Sequence, residues 1–173
     1  VGLDKTYEVT ARLGARTDTF DREGRTIEET TPASPPTRAD IDRALATFHG
    51  PIKQKAPLFS AIKQGGKKLY DLARAGQATE AMRPERDVTI HGLTVTDYAW
   101  PNLAFTVQVS SGTYIRSLVD DLGQALGTGA YVQELRRTAI GRFSVSEALP
   151  GDALSETAIR ERLVPVDKPN EHP

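Results

Sequence analysis

The chain has 173 residues, with 22 Lys and Arg against 23 Asp and Glu and a formal net charge of −1. That length suits one domain with a real core, and the near-neutral balance removes bulk charge as a sign of a nucleic-acid partner while leaving room for a locally basic face. Cysteine is absent, which excludes disulfides, thiolate metal sites and a cysteine nucleophile.

The three histidines (His49, His91, His172) share no ligand spacing, so no metal site is expected. No apolar run approaches a membrane span and no secretory segment is visible, so a cytoplasmic protein without membrane contact is expected. Both ends read as cut: a strand pattern begins within a few residues of Val1, and Val164-Pro165-Val166-Asp167-Lys168-Pro169 has the composition of a linker.

In chain order, Tyr7, Val9, Ala11 and Leu13 alternate with polar residues and predict a first strand ending at Gly14. The polar run Arg16 to Gly24 predicts a loop, in which Asp18 and Asp21 suit turn chemistry. After the proline-rich stretch Thr31 to Pro36, Thr37 and Asp40 are spaced as a capping box. Ile41, Leu45 and Phe48 give the helix its buried stripe, and Gly50-Pro51 is expected to stop it.

From Pro51 to Gly76, Lys53, Lys55, Lys63, Lys67, Lys68 and Arg74 are opposed by Asp71 alone. Phe59, Ile62 and Tyr70 are interleaved, and Gly65-Gly66 forms a hinge. This pattern suits a loop gripping a phosphate backbone, and it equally suits a solvated helical hairpin. Val88 to Tyr98 and Leu103 to Val109 predict a hairpin turning at Pro101-Asn102. Ala130 to Leu135, a short strand at Arg142-Phe143-Ser144-Val145 and a helix over Leu154 to Leu163 complete the chain. Strands and helices mix without a βαβ rhythm, which predicts an α+β fold with a mixed, largely antiparallel sheet flanked by helices.

The Leu103–Val109 strand runs into a helix patterned by Ile115, Leu118, Val119, Leu122 and Leu126, through Ser110-Ser111-Gly112-Thr113-Tyr114-Ile115-Arg116. Gly112 permits the bend and the Thr113 hydroxyl suits the cap. Arg116 then stands in the first turn, against the helix dipole. Two readings stay open: a surface arginine on a solvated face, or an arginine at the mouth of a site, awaiting a carboxylate or phosphate.

Several segments, in order, resemble the TruB family of tRNA pseudouridine synthases. They are Lys5-Thr6-Tyr7-Glu8, Arg16-Thr17-Asp18-Thr19-Phe20-Asp21, Pro57-Leu58-Phe59-Ser60-Ala61-Ile62-Lys63, Gly66-Lys67-Lys68-Leu69-Tyr70, Gly112-Thr113-Tyr114-Ile115-Arg116, Asp121-Leu122-Gly123 and Gly129-Ala130-Tyr131 leading to Leu135-Arg136-Arg137. The resemblance implies a pseudouridine synthase catalytic core over residues 1–150, incomplete, with an inserted RNA-binding thumb at 57–76. Residues 151–173 become a C-terminal helix and linker towards a further RNA-binding domain.

It also implies the activity: a uridine in the tRNA T-loop is flipped out, its glycosidic bond is broken, the base rotates and a carbon–carbon bond forms to the ribose. No cofactor and no metal are implied. The partner is the tRNA T-stem-loop, and a monomer is expected. An aspartate starts the chemistry, Arg116 pairs with it and orients it, and Tyr7 stacks on the flipped base. Asp21, Tyr114 and Leu135 belong to the substrate pocket, while Lys63, Lys67, Lys68 and Arg74 contact phosphates. The aspartate's own motif precedes the Lys-x-Tyr strand and is not found in the chain. Gly2-Leu3-Asp4 imitates it, but Asp4 lies too close to Tyr7 to be the nucleophile. The chain as written is therefore expected to be inactive alone. The rival readings are a non-catalytic RNA-binding module and a structural or protein-interaction domain.

Overall fold

Period-two alternation of apolar residues organises the computed structural model, which describes residues 2–161. Its strands are β1 (Lys5–Leu13), β2 (Ala15–Thr17), β3 (Thr26–Glu29), β4 (Gly50–Lys55), β5 (Lys63–Gln64), β6 (Lys67–Lys68), β7 (Glu85–Ala99), β8 (Asn102–Val109), β9 (Ala130–Ile140) and β10 (Phe143–Ser144). Its helices are α1 (Arg38–Ala46), α2 (Leu69–Arg74), α3 (Ile115–Ala125) and α4 (Glu156–Glu161). One six-stranded sheet has the order β10-β9-β1-β8-β7-β4, and every neighbouring pair is antiparallel. The fold is α+β, as the pattern predicts.

One face of the sheet is the core. Val9, Ala11 and Leu13 of β1 and Leu103, Phe105, Val107 and Val109 of β8 are buried against Ile115, Leu118, Val119 and Leu122 of α3 and Ile41 and Leu45 of α1. Each fully buried aliphatic or aromatic side chain contributes about 1.5–3 kcal/mol, so α3, with four of them, is fixed firmly to the sheet. Gly123 brings α3 close to the start of β9: a Cβ there would meet the Ala130 nitrogen at 2.2 Å. The other sheet face shows Glu8, Thr10, Thr106 and Glu134, which line an open depression of about 580 Å3.

Local chemistry explains the start of α1. Thr37 and Asp40 form the expected capping box of α1, and the Thr37 hydroxyl and amide hold the Asp40 carboxyl below the usual range. β7 is a single long strand whose register shifts twice along β8, between Ile90 and Gly92 and between Val95 and Asp97.

Four expectations need correction. The run from Arg16 to Gly24 is not all loop, because Ala15–Thr17 pairs with Thr26–Glu29 as a small hairpin. Gly50-Pro51 does not stop α1, which ends at Ala46; Gly50, at φ +91°, opens β4. Lys53 and Lys55 accordingly belong to an edge strand paired with β7, not to a loop. The Thr113 hydroxyl does not cap α3 but donates to the Ser110 carbonyl at 2.9 Å, and the N-cap position is Tyr114. The C-terminal segment is described as far as α4, and residues 162–173 of the expected helix and linker lie outside the described residues.

Candidate active site around Arg116

The bend at Gly112 (φ +89°) turns β8 into α3 and places Arg116 one residue beyond the buried Ile115. A cation in the first turn opposes the helix dipole, so it needs compensation. Three acceptors supply it. Arg116 Nη1 donates to Asp21 Oδ2 at 3.0 Å and to the Thr19 carbonyl at 3.0 Å, and Nη2 donates to the Phe59 carbonyl at 2.9 Å. Both side chains of the ion pair are 24% exposed, so solvent screens the pair only in part.

Asp21 is aimed by its own turn. Phe20 is buried at φ +63°, a left-handed conformation that is strained for a bulky residue. The Val132 amide donates to the Phe20 carbonyl and the Arg22 amide donates to the Val132 carbonyl, each at 3.0 Å, so Asp21 is pinned against β9. Asp21 Oδ1 accepts from the Thr19 hydroxyl at 2.7 Å and from the Glu23 amide at 3.1 Å, leaving Oδ2 for the arginine.

The Arg116–Asp21 pair stands between two cavities. One, of about 490 Å3, is lined by both residues together with Val132, Glu134 and Leu135 of β9. The other, of about 520 Å3, is lined by the pair together with Asp18, Phe59, Tyr70 and Arg74. Leu135 is 44% exposed, a large apolar side chain open at the cavity wall.

Of the residues singled out in the sequence, Arg116, Asp21 and Leu135 share one cavity, and Arg74 joins the first two in the other. Tyr7 and Tyr114 line neither of these two cavities. Tyr7 lies on β1 opposite Val107 and Arg137, half-buried against the core. Tyr114 stands at the N-cap of α3, with the Arg86 guanidinium 5.5 Å from its ring centroid. Asp4 Oδ2 is 3.2 Å from His91 Nε2, and the carboxylate that Arg116 meets is that of Asp21.

Lys63, Lys67 and Lys68 sit on the β5–β6 hairpin, whose turn is Gly65-Gly66, both at positive φ. Lys63 and Lys68 are direct cross-strand partners and all three lysines are exposed. Among the described residues none of the three has an ion-pair partner. Like charges placed opposite each other are destabilising in the free protein. Arg74 lies over the Tyr70 ring at 4.3 Å.

On α3, the buried Asp120 carboxylate receives Arg16 Nε at 2.8 Å and Nη2 at 3.2 Å, a bidentate pair that raises the Arg16 pKa. Among the described residues, no cluster of His, Asp or Glu has the makings of a metal site.

Sequence reasoning missed Gln54. It is fully buried, and its amide bonds both backbone groups of Tyr114. The available signal was a polar residue at an inward position, where Ile52, Gln54 and Ala56 alternate with Lys53 and Lys55.

A family model described as TruB family pseudouridylate synthase (N terminal domain) matches residues 1–115. The chain belongs to the TruB family. A second model of that family, the tRNA pseudouridylate synthase B C-terminal domain, matches residues 116–169. The boundary between the two matches falls in the first turn of α3, inside one packing unit, because α3 and β9 pack together and β9 pairs with β1.

Named relatives include tRNA pseudouridine synthase B of Burkholderia mallei (strain NCTC 10247), 45% identical over 167 residues, covering 95% of this chain and 54% of that protein. The synthase B of Cupriavidus pinatubonensis is 45% identical over 170 residues, covering 95% and 53%. The chain thus spans about half the length of these TruB relatives. Among solved structures, a chain of a Cbf5-Nop10-Gar1 complex matches with TM-score 0.57 and 27% identity, over 82% of this chain and 32% of that one. A chain of an H/ACA RNP bound to a substrate RNA containing 2'-deoxyuridine matches with TM-score 0.52 and 23% identity, a likeness of fold alone, over 82% and 30%.

Proposed function

We propose that this chain provides the pocket and the RNA grip of a tRNA pseudouridine synthase. The reaction is isomerisation of a T-loop uridine, flipped out of its stack before it is reached. The glycosidic bond breaks, the base rotates and a carbon–carbon bond to the ribose replaces it. The nucleophilic aspartate comes from a segment outside this chain. The protein acts in the cytoplasm as a monomer, without metal or organic cofactor.

The observation that carries this reading is the Arg116–Asp21 pair between its two cavities. An arginine held by one carboxylate and two carbonyls has its direction set before substrate arrives, and such preorganisation is what an active-site electrostatic partner requires. Arg116 then orients the incoming aspartate by charge-assisted hydrogen bonding, and Asp21 tunes that arginine. Leu135 supplies an apolar wall, Tyr7 stacks on the base, and Tyr114 contacts substrate at the strand–helix junction. Asp4, which lies beside His91, has no part in the chemistry.

The hairpin and α2 act as a thumb. Lys63, Lys67, Lys68 and Arg74 contact phosphates of the T-stem-loop, and the anion relieves the repulsion expected between the cross-strand partners Lys63 and Lys68. Binding of a T-stem-loop RNA across a salt series tests the grip. Four phosphate contacts give a log–log slope of about −3 to −4, and a flat response contradicts the thumb. RNA binding that persists when the aspartate-bearing segment is supplied and still no pseudouridine forms would favour the non-catalytic RNA-binding module.

A further inference from the structure

We infer that Gln54 is a positioning residue for Arg116, acting through the backbone of Tyr114. The inference rests on the catalytic reading of Arg116 given above. The geometry is a two-point clamp. The Tyr114 amide donates to Gln54 Oε1 at 2.8 Å, and Gln54 Nε2 donates to the Tyr114 carbonyl at 3.1 Å. The opposite polarities of the two backbone groups fix which end of the amide is nitrogen, so the orientation is not a free choice. Gln54 is 0% exposed, and a buried amide left without partners is costly, so the clamp is strongly held.

The need for a clamp follows from the helix start. Tyr114 occupies the N-cap of α3 and makes no side-chain cap bond. An uncapped first turn frays, because its amides lack intrahelical partners. Arg116 stands in that turn, two residues beyond Tyr114. Gln54 anchors the turn from outside, at 60 residues' separation in sequence. Its own strand is paired along its whole length with β7, from Gly50 opposite Ile90 to Lys55 opposite Glu85. The next residue joins in: the Lys55 carbonyl accepts from the Ser117 hydroxyl at 2.8 Å. Three hydrogen bonds from two consecutive residues of β4 therefore flank Arg116 on both sides. Catalytic groups need to be held to within about 0.5 Å of the productive geometry, and a misplacement of about 1 Å costs up to about a hundredfold in rate.

The test uses Gln54→Met, which keeps the bulk and removes both bonds. In the 173-residue chain, hydrogen exchange at the Tyr114 amide should quicken at least about tenfold, with the Phe105 and Val107 amides unchanged. The NMR signals of the Arg116 guanidinium, held by three acceptors in the parent, should average. In the protein supplied with the aspartate-bearing segment, single-turnover pseudouridine formation should fall at least about tenfold, with affinity for the T-stem-loop unchanged within about twofold. Unchanged Tyr114 exchange and Arg116 signals overturn the inference, and so does a loss of turnover matched by equal losses of RNA affinity and thermal stability. If Gln54→Met does not fold, Gln54→Asn keeps the amide but is one methylene too short to reach both backbone groups of Tyr114. Parent-like turnover and Arg116 signals in that variant overturn the inference. An unsubstituted protein that forms no pseudouridine removes the catalytic reading, while the exchange and guanidinium measurements still decide the clamp.

Discussion

Arg116 Nη1 lies 3.0 Å from Asp21 Oδ2, joining the first turn of α3 to a strained turn pinned against β9. The pair explains why a cation occupies the unfavourable end of a helix dipole. It also brings together two residues 95 positions apart, each at the boundary of both cavities.

Replacing either partner should separate chemistry from binding. In the protein supplied with the aspartate, Arg116→Lys keeps the charge and loses the geometry that reaches three acceptors. Turnover should fall at least about a hundredfold, equivalent to about 2.7 kcal/mol of transition-state stabilisation, while RNA affinity stays within a few-fold. Asp21→Asn should fall less, because Oδ1 keeps its bonds to Thr19 and Glu23 and Arg116 keeps its two carbonyl acceptors. Equal losses of turnover and affinity for Arg116→Lys would make the arginine a phosphate contact.

The thumb lysines should show opposite signs in two measurements. The triple change Lys63→Ala, Lys67→Ala and Lys68→Ala removes the cross-strand repulsion, so the free protein should be unchanged in thermal stability or slightly more stable. The same change should weaken RNA binding and flatten its log–log salt slope by about 2–3. Unchanged RNA affinity would mean a solvated hairpin.

Two glycines should differ sharply. Gly123→Ala sets a Cβ 2.2 Å from the Ala130 nitrogen and 2.4 Å from the Gly129 carbonyl carbon, both backbone atoms that cannot step aside. A loss of about 3 kcal/mol or more is expected in chemical denaturation. Gly92→Ala meets nothing within 4 Å, and should change stability by no more than about 0.5 kcal/mol.

Asp121 gives the chain a pH signature. Burial first, and the neighbouring Asp120 second, push its carboxyl from an ordinary 3.8 to about 6. A raised acid favours the protonated folded form. Its stabilising contribution is complete below the ordinary value and lost as pH rises through the folded one. Asp121→Asn should therefore match the parent near pH 3.8 and exceed it in thermal stability above pH 6. The difference should be on the order of 1–2 kcal/mol after allowing for solvent screening. An asparagine variant less stable than the parent at pH 7 contradicts this.

The strands and helix that carry the core were legible because their periodicity records burial: Val9, Ala11 and Leu13, or Ile115, Leu118 and Leu122, announce one buried face each. β4 was not, because an edge strand pairs on one side only and tolerates Pro51 and two lysines, with Ile52 as its one apolar side chain. β2 and β3 were missed for a related reason: β3 is exposed throughout and carries no alternation of burial to read. At the site, Arg116 was visible as a misplaced charge, and Asp21 through resemblance. Gln54 stayed hidden, since a buried amide at an inward strand position names no partner, and its partner lies 60 residues away. Asp21 as the partner of Arg116 was hidden in the same way, behind a turn that local chemistry alone explains.

The most direct test of the central claim is pseudouridine formation in a T-stem-loop RNA, by the 173-residue chain alone and by the chain supplied with the aspartate-bearing segment. No turnover by the chain alone, and turnover on adding the segment, is the predicted result. Turnover by the chain alone that disappears on Asp4→Asn would contradict it, making Asp4 the nucleophile and removing the need for an aspartate from elsewhere.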